Sequence, residues 1–259
     1  MKTNDWDPKL YLKFSDERTQ PSIDLVNRIR FEKAPGNIID LGCGPGNSTQ
    51  ILAEKWLNSR ITGLDNSPGM IEKAKSDYPK QEWIIADAAT FNSKKKYDLV
   101  FSNATIQWIP NHKRLLERLL DLVSENGVLA VQLPKFKDLA IWQAIDKVSK
   151  SKKWAKVTRG CDEMFTYEET GFYYDILSKR VPAVEMWETT YIHIMDSHPA
   201  ILEWSRSTAL RPYLNRLKSE VEKEEFESDL LCEIINKYPA QSNGKVLFPF
   251  KRLFFIAYK

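Results

Sequence analysis

Ile38-Ile39-Asp40-Leu41-Gly42-Cys43-Gly44-Pro45-Gly46-Asn47-Ser48-Thr49 is the stretch on which the reading of this chain turns. A short apolar run ends in glycines at 42, 44 and 46, and a helical pattern begins directly after them. A strand that closes on a glycine turn and opens into a helix marks the ligand site of an open, parallel α/β sheet. Gly42, Gly44 and Gly46 lack the Cβ atoms that would hold a ligand away from the backbone.

The neighbours of the turn narrow the ligand. A dinucleotide fingerprint counted from Gly42 needs a small third residue at 47, where Asn47 stands. Asp40 sits inside the approach to the turn, where it would repel a pyrophosphate. No Gly-Lys-Ser/Thr follows, so a phosphate-binding P-loop also fails. S-adenosylmethionine (SAM) carries no phosphate and presents a sulfonium and an ammonium, which a carboxylate attracts. The turn points to SAM.

Outward from this segment, apolar runs alternate with amphipathic ones from about 37 to 133. Strands are expected at 37–41, 60–65, 82–86, 97–102 and 127–133, and helices at 47–57, 67–78 and 113–124. The alternation predicts βαβ units and a parallel sheet covered on both faces, an α/β fold. Ser67 and Pro68 open the second helix with a cap and a first-turn proline. Residues 8–31 read as helical and suited to covering the mouth of the sheet. After 133, helices are expected near 138–149, 198–207 and 213–238, a basic loop at 151–159, and two late strands at 184–195 and 246–258.

Polar residues recur where the early strands end. Asp65 closes the second strand, 25 positions after Asp40, where a carboxylate can accept both hydroxyls of a ribose. Asp87-Ala88 follows the third strand, and the Asp carboxylate suits an adenine amino group. Ser102-Asn103-Ala104 ends the fourth, beside the position expected for a transferable methyl.

Composition sets the outer bounds. The 259 residues carry 38 basic and 35 acidic side chains, a net +3, and 42% of them are hydrophobic. That charge is too small to imply a nucleic-acid partner. Cys43, Cys161 and Cys232 are far apart, so neither a metal site nor a disulfide framework is expected. The opening residues lack an apolar signal core, and no apolar run reaches the length of a membrane span. The expectation is a cytoplasmic monomer with no membrane partner.

Four strings resemble the class I SAM-dependent methyltransferases: DLGCGPGNST at 40–49, ITGLDNSPGMIEKA at 61–74, IIADA at 84–88 and FSNATIQWIPNH at 101–112. More narrowly, the chain resembles the trans-aconitate 2-methyltransferase family. WDPKLYLKFS at 6–15, YYDILS at 173–178, WETTY at 187–191 and LRPYL at 210–214 carry that narrower likeness, which fades over 135–170. The resemblance implies a Rossmann-like, seven-stranded sheet with its last strand antiparallel. It implies one domain over 1–259, made of an N-terminal helical lid (1–31), a SAM-binding core (32–133) and acceptor-pocket insertions with the last strands (134–259). It places Gly42 and Gly44 at the methionine part of SAM and Asp65 at the ribose. Asn66 and Met70 fall at the adenine face, Asp87 and Ala88 at the adenine edge, and Asn103 near the sulfonium.

The reaction implied is methyl transfer to a carboxylate of a small polycarboxylic acid, trans-aconitate above all. A carboxylate with a pKa near 4 is already ionised at neutral pH, so no general base and no catalytic side chain is expected. Alignment and desolvation would do the work. Arginine forks suit the carboxylates that do not react; Arg211 is the first candidate and Arg18 the second, with Tyr11, Trp108 and Tyr174 as aromatic candidates. His193 reads as packed in or at the edge of the core, and His198 as a helix cap. Two other acceptors stay open: a carrier-bound carboxylate of the malonyl-thioester type docking on lysines at 150–156, and RNA.

Overall fold

The computed structural model describes the backbone from residue 15 and side chains from residue 18 onward. Helix α1 (Ser15–Arg28) precedes β1 (Asn37–Leu41), α2 (Asn47–Lys55), β2 (Arg60–Asp65), α3 (Pro68–Asp77) and β3 (Glu82–Ile85). Then come β4 (Tyr97–Asn103), α4 (His112–Leu122), β5 (Val123–Pro134), α5 (Ala140–Ser149), α6 (Thr170–Leu177) and β6 (Ala183–Met195). The chain closes with α7 (His198–Arg206), the one-turn α8 (Arg211–Leu214), α9 (Glu220–Lys237) and β7 (Val246–Tyr258).

The strands form one seven-stranded sheet in the order β3-β2-β1-β4-β5-β7-β6. The first five are parallel: Asp40 pairs with Gly63 of β2 on one side and Phe101 of β4 on the other. β7 runs against β5. Lys259 N–H donates to Gly127 O, and Lys135 N–H to Lys251 O, so one strand's start faces the other's end. The seven strands and the antiparallel last strand are as the resemblance implied.

The chain divides into two compact units. The first holds the described residues through 133 together with 166–188 and 253–259. Its middle strands are apolar on both faces, Ile38, Ile39, Leu99 and Val100 all being buried, as a sheet sandwiched between helices requires. α3 starts where the sequence indicated, Ser67 Oγ accepting the Met70 N–H at 3.2 Å. α4 packs on the sheet through Leu115, Leu116, Leu119 and Leu120, a stripe at helical spacing. α1 buries Leu25 and Val26, and its last residue, Arg28, lies 4.2 Å over the ring of Trp187, which stacks on Phe254.

Three elements differ from expectation. β5 begins at Val123, four residues early, because α4 runs straight into it. A register shift between Tyr97↔Val123 and Leu99↔Val128 absorbs the extra residues, with Asn126 at φ 60°. α6 was not expected: Tyr173 and Leu177 are buried, Phe172 and Ile176 pack partly buried against the same core, and Gly171, Tyr174 and Asp175 face solvent. The long helix expected over 213–238 is two, because Ser219 caps a new start by accepting the Glu222 N–H at 3.1 Å. Among the described residues no helix is long and apolar enough to cross a membrane.

The second unit comprises residues 134–165 and 189–252. Trp154 packs edge-on against Phe226, and its indole N–H donates to Asp229 at 2.7 Å, fastening the loop after α5 to α9. His193 is packed among Trp204, Phe248 and Phe250, so it belongs to a core, as the sequence indicated. Burial first, and the charge of Arg252 second, hold its imidazole at a pKa of about 4. The unfolded chain takes that proton near 6.5, so between the two values the unfolded state binds more protons and stability falls as pH drops. The window predicts a loss of as much as roughly 3 kcal/mol between pH 6.5 and 4 that His193→Phe removes, read as melting temperature against pH.

Candidate active site

In the strand order the chain leaves β1 first toward β2 and later toward β4, so β1 and β4 flank the switch point where open sheets hold ligands. The glycine turn sits there. Gly42 and Cys43 both donate their N–H to Leu64 O, at 2.7 and 3.0 Å, which pins the turn to the end of β2. Gly42, Gly44 and Gly46 have φ of 71°, 56° and 98°, the left-handed region.

The three glycines serve different neighbours. A Cβ on Gly42 would stand 2.1 Å from Thr105 Cγ2, so the missing Cβ makes room for that side chain. Thr105 Oγ1 in turn shares its proton between Gly42 O and Asn103 O, each at 3.1 Å, joining the turn to the end of β4. A Cβ on Gly46 would meet the rings of Trp83 and Tyr78 at 2.8 Å. Only Gly44 of the three faces open space.

Asp40 is fully buried one layer behind the turn. Its Oδ2 accepts from Ser48 Oγ at 2.6 Å and Thr49 Oγ1 at 2.7 Å, the first turn of α2, while Oδ1 has no partner. Burial, against the two hydroxyl bonds, raises its pKa to about 6. Ser48 and Thr49 follow the glycines directly in the sequence, and their hydroxyl pair is the signal the sequence reading passed over.

Asp65, at the end of β2, accepts the Gly44 N–H on Oδ2 and the Ser67 N–H on Oδ1, both at 2.9 Å. Those bonds aim the carboxylate across the turn. Asn66 is exposed beside it and Met70 is buried on α3. Asp87 is exposed and closes its own turn on the Ala89 N–H at 2.8 Å, with Ala88 partly buried between them.

Asn103 ends β4 with its buried Oδ1 unpartnered. The next residue, Ala104, has φ of 54°, a strained conformation for alanine of the kind that collects at functional sites. Its surroundings hold it: Ala104 N–H donates to Gln132 O, and Gln107 Nε2 donates to Ala104 O at 2.6 Å. Beneath lies His112, unmarked in the sequence reading. Its Nε2–H donates to Ile106 O at 2.9 Å, so Nδ1 is the acceptor for Tyr173 O–H at 2.7 Å and the ring is neutral, burial lowering its pKa. Trp108 is partly buried in the same 3₁₀ turn.

A small cleft opens beside the turn, lined among others by Arg18, Ser22, Gly42, Cys43, Ser48 and Asn103. Arg18 thus lies with the cofactor candidates. A wider groove, at the amino ends of β1 to β3, is lined by Trp56, Arg60 and Glu82 and is at the edge of the sheet opposite to this chemistry. Tyr174 is half-exposed on α6, and Tyr11 lies outside the described residues. Arg211 opens α8 in the second unit, partly buried. There too Lys153 is bonded to Glu225 and Asp229, and Lys150 to Asp146. That pairing spends much of the charge at 150–156 within the fold. His198 bonds Tyr238 O at 2.7 Å from the first position of α7, with Ser197 in the cap position.

Fold and site together define a class I SAM-dependent methyltransferase: the 3-2-1-4-5-7-6 sheet with its last strand reversed, and buried, donor-seeking oxygens around a glycine turn that suit a cation-bearing nucleoside. Residues 32–191 match the family described as "Methyltransferase domain". The trans-aconitate 2-methyltransferase of Enterobacter sp. (strain 638) is 40% identical over 253 residues, 98% of each chain. The chain belongs to the trans-aconitate 2-methyltransferase family. Among solved structures, the YcgJ protein from Bacillus subtilis covers 93% of this chain and 98% of its own, at 12% identity and a TM-score of 0.59. The plantazolicin methyltransferase BpumL in complex with SAH covers 97% of this chain and 90% of its own, at 18% identity and a TM-score of 0.52. These two likenesses speak for the fold.

Two predictions follow from the turn. Gly42→Ala drives a methyl into Thr105 and destabilises the protein by roughly 2–5 kcal/mol, whereas Gly44→Ala costs only about 1–2 kcal/mol; denaturant unfolding checks the difference. For Asp40, the unfolded carboxyl loses its proton near 3.8 and the folded one near 6, so the folded state binds more protons in between. Stability then falls as pH rises through that window, by roughly 3 kcal/mol in all. Asp40→Asn flattens this slope and weakens SAM binding, measured by melting curves from pH 4 to 7 and by calorimetry.

Proposed function

We propose that this chain transfers the methyl group of SAM to a carboxylate of trans-aconitate, giving a monomethyl ester and S-adenosylhomocysteine (SAH). The observation that carries this reading is the 40% identity to a trans-aconitate 2-methyltransferase along 98% of both chains, the acceptor half included. We place Gly44 and Asp65 against the cofactor, with Asp65 accepting from the ribose hydroxyls, Asn66 and Met70 on the adenine face, and Asp87 with Ala88 at its edge. The chain acts in this reading as one domain and as a cytoplasmic monomer.

When bound, SAM supplies an electrophilic methyl on sulfur that an acceptor carboxylate oxygen takes in line, the O–C bond forming as C–S breaks and the electron pair returning to sulfur. No proton moves at an ionised carboxylate, so the protein's part is alignment, water exclusion and recognition. Asn103, on the strained segment locked by Thr105 and Gln107, fixes one wall of the methyl position. Trp108 supplies an apolar surface in the following turn, and the tie from His112 to Ile106 O holds that turn in place. Arg211 reads a carboxylate that does not react, its planar fork matching two oxygens at once.

Three measurements test this. Incubation of the purified protein with SAM and trans-aconitate yields a singly methylated ester by mass; turnover confined to carrier-bound thioesters or to RNA would remove the proposal. Asp65→Ala abolishes measurable SAH binding with the fold intact by circular dichroism. Arg211→Met raises the KM for trans-aconitate at least tenfold, the scale of a charge-assisted bond pair, and leaves SAH affinity unchanged.

A further inference from the structure

We infer that Arg18 and Ser22 read the amino-acid end of the cofactor, Arg18 binding its α-carboxylate, and that Arg18 takes no part in holding the acceptor. The inference rests on the SAM reading above and extends it to residues outside the glycine motif.

Arg18 and Ser22 stand four apart on α1, hence on one face of the helix, and both line the cleft beside the turn. Both are buried, at 7% and 1% exposure. A guanidinium removed from water needs an anion or carbonyls to face it, and it carries five donors, so the cleft can claim two without emptying its other contacts. Ser22 Oγ is a buried hydroxyl with no hydrogen-bond partner, which leaves a donor unspent in the cleft wall. Asn47 and Ser48, which line the same cleft, belong to the first turn of the nine-residue α2, where N–H groups point outward with a partial positive charge. Guanidinium, hydroxyl and helix N-terminus form a donor set for one small anion.

Asn103 lines the same cleft, and its Oδ1 is buried without a donor. A donor set together with an unmet acceptor matches a group carrying a carboxylate and an ammonium on adjacent bonds, the α-amino acid of SAM. A polycarboxylic acceptor has no ammonium to offer Asn103 Oδ1.

The test uses the full chain and three nucleosides in calorimetry: SAH, decarboxylated SAM and 5′-methylthioadenosine. Arg18→Met should weaken SAH roughly 10- to 100-fold, as loss of a charged bond pair does, and leave the two ligands without a carboxylate unchanged. Arg18→Lys should restore part of the SAH affinity, and Ser22→Ala should act in the same direction as Arg18→Met but less. The KM for trans-aconitate at saturating SAM should stay within twofold in all three variants. An Arg18→Met protein that binds SAH normally but has a raised acceptor KM overturns the inference, and so does one that loses all three nucleosides equally. Wild-type protein that binds 5′-methylthioadenosine but gains nothing from the amino-acid end also overturns it. If wild type binds none of the three, the SAM reading itself fails.

Discussion

A carboxylate sealed in the middle of the sheet is the constraint that organises this protein. Asp40 has no exposed surface and lies between β2 and β4, where an apolar side chain would have packed without penalty. Burying a charge is expensive unless bonds compensate it, and here two hydroxyls bond one oxygen while the other is left over. The raised pKa records that deficit. Such a group makes sense beside a ligand that brings positive charge, and it works against any ligand that brings a diphosphate.

The rest of the site arranges itself around that charge. Ser48 and Thr49 answer Asp40 and thereby fix where α2 begins. Gly42 yields its space to Thr105, which ties the turn to the end of β4, and Gly46 yields to Trp83 and Tyr78. Gly44 is left as the open approach, with Asp65 bonded to its N–H from the side. The strain at Ala104 is tolerated because bonds from Gln107 and to Gln132 determine it from both directions. Methyl transfer to an ionised acid asks for no acid–base pair, so the protein's effort goes into this fixed geometry.

Much of this was legible in the sequence, and the physical reasons differ by element. β1 and β2 have the bounds their apolar runs indicated, because a strand buried on both faces leaves few residues free to shift, and β7 keeps its bounds with an alternating first half and a fully buried second half. Cap chemistry made the start of α3 readable from Ser67 and Pro68. β5 was read four residues short because Glu125, Asn126 and Gly127 look like a turn, and the register shift that accommodates them is a pairing between strands. α6 escaped because its core-facing residues, Phe172, Tyr173, Ile176 and Leu177, fill only eight residues, shorter than the stretch over which a helical period declares itself. The glycine motif was seen, but the partner that needs Gly42 is 63 residues away, at Thr105, and distance in sequence hides it. Arg18 and Ser22 show helical spacing in the sequence, yet only the fold brings them beside the turn.

The sign of charge that the cleft accepts decides which cofactor this turn can hold. The direct measurement is a calorimetric titration of the purified chain at neutral pH with SAM and, separately, with a nicotinamide dinucleotide. Saturable one-to-one binding of SAM, with no heat of binding from the dinucleotide, is the result this structure requires. One-to-one binding of the dinucleotide with SAM ignored would contradict it.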